Sequence, residues 1–83
     1  MKVDVLIKEM DRVVDNFIKE VNESIRLEEK MKREDVWFDV EGANQFEISV
    51  KNRKSNIRAT RGLHTTSDNN KMIEESIIVK LIK

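Results

Sequence analysis

The sequence predicts an α+β domain: a long N-terminal helix packed on a small three-stranded antiparallel sheet, followed by a C-terminal helix, with a fourth strand as the alternative for that last segment. Three observations carry this. An unbroken apolar stripe of helical period runs from Val3 to about Arg33, the period changes to two at Val36, and a second alternating run from Phe46 pairs with the first in a derivable register.

In the first segment, Val3, Leu6, Ile7, Met10, Val13, Val14, Phe17, Ile18, Val21, Ile25, Leu27 and Met31 fall at spacings of three and four with no Gly or Pro between them. Asp4 with Lys8, Asp15 with Lys19, Glu28 with Lys32 and Glu29 with Arg33 stand four apart, acid first, and mark the solvated side. A helix of roughly 30 residues is about 45 Å long, whereas a compact chain of this size spans only about 30 Å, so one end is expected to overhang. Ile7, Met10, Val14, Phe17 and Val21 also fit a heptad seam with Val3. Overhang and seam together predict self-association through these residues, in a homodimer or higher oligomer.

Val36, Phe38 and Val40 alternate with Trp37, Asp39 and Glu41, and Phe46, Ile48 and Val50 alternate with Glu47, Ser49 and Lys51. Pairing Val40 with Phe46, Phe38 with Ile48 and Val36 with Val50 puts every apolar side chain on one face. Gly42, Ala43 and Asn44 then form a three-residue loop, with Asn44 suited to a left-handed last position. Asn52 to Asn56 reads as a polar turn, and Ile57 and Ala59 suggest a third, weaker strand ended by Gly62. Gly62 to Lys71 reads as a loop of turn and cap formers. In residues 71–83, Ile73, Ile77 and Leu81 fit a helix that Asn70 caps, while the β-branched run Ile77, Ile78, Val79 suits a strand.

The chain has 83 residues, no cysteine and one histidine, so it reads as one domain, residues 1–83, without a disulfide or a thiolate zinc site to brace a small core. Association remains as the available brace. No apolar run is long enough to span a membrane, and the start lacks the pattern of a secretion signal, so a soluble cytoplasmic protein is expected. The zero net charge conceals an asymmetry: residues 1–47 hold 13 acids and 8 bases, whereas residues 48–67 hold 5 bases and no acid.

Those bases, Lys51, Arg53, Lys54, Arg58 and Arg61, cluster on a turn and the strand after it. Three readings fit: a solvated turn pairing with acids elsewhere in the chain, a contact along a nucleic-acid backbone, or a contact with an acidic protein surface. No aromatic residue follows Phe46, which argues against stacking on single-stranded bases. Trp37 has the parity opposite to the core stripe, where it is either capped by an Arg stem or anchors a partner. Asp39 and Glu47 become directly opposed in the derived register, and Arg58 is the cation placed to relieve them. His64 lies near Thr65, Ser67 and Asp68, but neighbours in sequence rarely form a triad. No catalytic residue, metal site or cofactor is assigned.

The order helix, three strands, helix is shared with double-stranded-RNA-binding domains, but this first helix is too long and its last segment offers only Lys71 near the start. No family is assigned on it. The expectation is a non-enzymatic interaction protein, self-associating through its first helix and docking on a macromolecular partner through Trp37 and the basic turn. A duplex nucleic-acid binder is the alternative. The short, Pro-free, Cys-free, Lys/Glu/Asn/Ile-rich character also looks like small phage and mobile-element proteins that act as stoichiometric inhibitors of host proteins, those of anti-CRISPR type among them.

Overall fold

The computed structural model describes residues 3–66 and 71–82. Helix α1 spans Val3–Ser24, a single 3-10 turn spans Arg33–Asp35, and four strands follow: β1 Trp37–Gly42, β2 Gln45–Asn52, β3 Ile57–Thr65 and β4 Met72–Leu81. The strands form one antiparallel meander in the order β1-β2-β3-β4. The α+β class holds, but the last segment is a fourth strand and no C-terminal helix is present among the described residues.

That difference has two causes, one in the segment and one in the strand beside it. The run Ile77, Ile78, Val79 is β-branched, and β3 continues past Gly62 to Thr65, so it offers a full-length edge for Met72 to Leu81 to pair with. The predicted loop from Gly62 is therefore strand as far as Thr65, and residues 67–70, Asn70 with its predicted cap included, lie outside the described residues.

Helix α1 stops at Ser24, well short of Arg33, because Leu27 lies six residues beyond Val21, about 240° around a helix and off the stripe. Ending the helix lets Leu27 and Met31 both turn onto the core. Asn22 holds the returning chain: its Nδ2 donates to the Met31 carbonyl at 3.0 Å and its Oδ1 accepts from the Met31 N–H at 2.8 Å. Arg33 pairs with Asp11 and Asp15 of α1, not with Glu29.

The β1–β2 register is the derived one at Phe38↔Ile48 and Val40↔Phe46. Its loop is tighter, since Gly42 pairs with Gln45, Glu41 bulges, and the loop is Ala43–Asn44. The left-handed non-glycine residue is not Asn44 but Asn56, at φ 56°, closing the four-residue turn between β2 and β3. Asn52 organises that turn, its Oδ1 accepting from the N–H groups of Lys54 and Ser55 at 3.0 Å each while its Nδ2 donates to the Glu29 carbonyl at 3.2 Å.

One face of the sheet packs on α1. Val13, Val14, Phe17 and Val21 meet Ile48, Val50, Ala59, Leu63 and Met72 in the core, with Met10 and Phe38 half-buried against it. The predicted association seam is thereby redirected: Val14, Phe17 and Val21 lie inside their own chain, and among the seam residues whose side chains are described Ile7 alone stays well exposed, at 57%. Among the described residues no element packs on the opposite face of the sheet.

Candidate protein-docking face

Strand alternation and register place three cross-strand rows on the uncovered face. Lys51, Arg58 and Lys80 stand opposite one another in a cationic row. Trp37, Ser49, Thr60 and Ile78 form the middle row. Asp39, Glu47 and Gly62 form the third, with Glu75 over Gly62, so this row is anionic.

Arg58 links the rows. Its guanidinium carbon lies 5.2 Å from the centroid of the Trp37 ring, a cation–π contact, and its Nη2 is 3.7 Å from Glu47 Oε1. It thus relieves the opposition of Asp39 and Glu47 that the register imposes. Ser49 is fully buried, and its hydroxyl is 3.2 Å from that of Thr60, so the centre of the face is a satisfied polar pair roofed by longer side chains. A cavity of about 200 Å³ opens between Glu47, Arg58, Thr60, Ile78 and Lys80. Arg58 Nε is buried there without a hydrogen-bond partner among the described residues. Trp37 keeps 36% of its surface and Ile78 56%.

The predicted basic cluster is divided by this geometry. Arg61 shares its parity with Ile57 and Ala59, so it points to the helix side, where it is 8% exposed, pairs with Glu20, approaches Glu74 at 3.6 Å and donates from Nε to the Glu75 carbonyl at 2.7 Å. It does not belong to a surface site. Lys54 Nζ lies 3.3 Å from Glu29. Lys51 and Arg53 are exposed and carry no ion pair among the described residues. They share a cleft of about 240 Å³ with Lys30, Lys32 and Lys54, together with the acids Glu29 and Asp35.

Lys80 and Ile78 complete the face and were not singled out by the sequence. Reading residues 71–83 as a strand would have found them, because Lys80 then has the parity of Ile78. His64 lies between Gln45 and Ile73 in the ladder, while Ser67 and Asp68 fall outside the described residues.

On the helix side, Glu9 ties α1 to β4. Its Oε2 accepts from Arg12 at 2.8 Å and from the Met72 N–H at 2.9 Å, and these bonds hold its carboxyl below the usual glutamate range, the Arg12 bond foremost. Arg12 is correspondingly raised by its bond to Glu9, and it also reaches Glu74 at 3.0 Å. Comparison with known proteins finds no matching family model, no matching curated protein and no matching solved structure.

Proposed function

We propose that this protein is a non-enzymatic interaction module that docks on a protein partner through the open face of its sheet, with Trp37 and Arg58 at the centre of the contact. The observation that carries this reading is the Trp37–Arg58 stack, flanked by exposed Ile78 and set between a cationic and an anionic row. Trp and Arg are the residue types that most often dominate binding energy at protein interfaces. Rows of opposite sign fit a protein surface of mixed charge, and a polyanion would be repelled by the third row.

The test is paired capture from cells expressing the natural partners, using the wild-type chain, Trp37→Ala, Arg58→Glu, and Ile7→Ser as a control on the helix. A protein captured by the wild type and the control but lost from both face variants is the expected result. With that protein purified, Trp37→Ala should weaken its Kd about 30-fold, corresponding to ~2 kcal/mol. Equal capture by all four chains, each folded by circular dichroism, overturns the reading.

A further inference from the structure

The sheet has two edges, β1 and β4, and they differ in kind. Strand β1 has 6 residues, a bulge at Glu41 and the acids Asp39 and Glu41, all devices that discourage further pairing. Strand β4 has 10 residues and exposes apolar side chains on both faces of its second half: Val79 at 47% and Leu81 at 68% on the helix side, Ile78 at 56% on the other. The Ile82 N–H donates inward to the Asn56 carbonyl at 2.7 Å. By alternation, the backbone groups of Lys80 and Ile78 also face β3, and those of Ile77, Val79 and Leu81 point out from the edge.

We propose that β4 pairs antiparallel with β4 of a second copy of this chain about a two-fold axis at Ile78, giving a dimer with one continuous eight-stranded sheet. The axis keeps each face on its own side, so residues of like face must stand opposite. With the axis at Ile78, Ile77 faces the second copy's Val79, and both offer outward backbone groups for a hydrogen-bonded pair. The bulge between Glu74 and Ile77 sets Glu75 and Ser76 together opposite Gly62. It therefore shifts the register by one where it is needed, and Lys80 comes to face the second copy's Glu75 and Ser76. A Cβ on Gly62 would lie 2.1 Å from Glu75 Oε2, which puts that carboxylate on the uncovered face. Lys80, opposite Arg58, is on the same face. The charge match occurs twice by symmetry. An axis at Val79 would face Lys80 with Ile78 instead, and an axis between residues would oppose unlike faces.

This association leaves Trp37 and Arg58 open and engages Ile78, Lys80 and Glu75 at the margin of the docking face; it rests on the edge of β4 and not on the docking proposed above. Sedimentation equilibrium across the micromolar range tests it. The wild type is expected to be a dimer. Val79→Pro, which removes an outward N–H and no inward one, and Ile78→Lys, which apposes two cations at the axis, should both be monomeric with unaltered circular dichroism. Lys80→Glu and Glu75→Lys should each raise the dissociation constant about tenfold, and the double exchange should restore it to within about threefold of wild type. A wild type that is monomeric throughout, a dimer that none of these variants weakens, or a double exchange no tighter than the single changes overturns the proposal.

Discussion

Arg53 and Arg61 are eight positions apart in one basic segment, yet the fold gives them opposite roles. Arg61 is enclosed between Glu20, Glu74 and the Glu75 carbonyl, and removing it leaves Glu74 short of a partner in a place water reaches poorly. Arg61→Ala should cost about 3 kcal/mol in urea unfolding, and Lys should not substitute well, since one ammonium lacks the planar fork that serves several acceptors. Arg53→Ala should stay within about 0.5 kcal/mol. The aromatic residues divide in the same way: Phe17 is fully buried and Trp37 is not. Phe17→Ala should cost about 4 kcal/mol through a core cavity, whereas Trp37→Ala should cost about 1 kcal/mol or less, and a reversal of that order in equilibrium unfolding would contradict the faces assigned here.

The packing of elements depends on a few polar ties as well as on the apolar core. Glu9 accepts the N–H of Met72, the first residue of β4, and so connects the helix to the strand most distant in sequence. Its carboxyl is held low in the folded state, so the stability it contributes is present above the unfolded value of about 4.3 and is lost as pH falls through the lower folded value. The gap in unfolding free energy between the wild type and Glu9→Gln should therefore be constant above about pH 5.5 and shrink progressively below about pH 4.3. A gap that widens on acidification would contradict the tie. Asn52 has a comparable place in the β2–β3 turn, bonding to both the turn and the segment between α1 and β1. Asn52→Ala should cost about 1–2 kcal/mol, measured by the same unfolding experiment.

At the scale of the whole molecule, the charge asymmetry along the chain is largely answered within it. Lys54, Arg58 and Arg61 of the basic segment meet Glu29, Glu47 and Glu20 from the acidic first half. Lys51 and Arg53, joined by Lys30 and Lys32, remain for outside contact, with Glu29 and Asp35 in the same cleft. If those four cations alone met phosphates, the log-log salt slope with duplex DNA would be no steeper than about −3.6. Filter binding should accordingly show no retention at about 0.15 M salt. A steeper slope with retention at that salt would mean that the internal ion pairs open, and would favour the nucleic-acid alternative.

The helix, the first hairpin and the faces of its strands were legible in the sequence, because each rests on periodicity within a few residues: Phe38 and Ile48, Val40 and Phe46 pair as their alternation requires. Arg58 beside Glu47 was legible too, as a consequence of that register. Three features needed the tertiary structure. The state of residues 72–81 was decided by the open edge of β3, since the segment's own pattern suits either a helix or a strand. The end of α1 was decided by the packing that brings Leu27 and Met31 onto one core: the six-residue step from Val21 to Leu27 marks the departure from the stripe, but where the returning chain docks is not set by local spacing. The heptad from Met10 to Val21 was engaged by the sheet of its own chain, because an amphipathic stripe specifies that it will be covered but not by what.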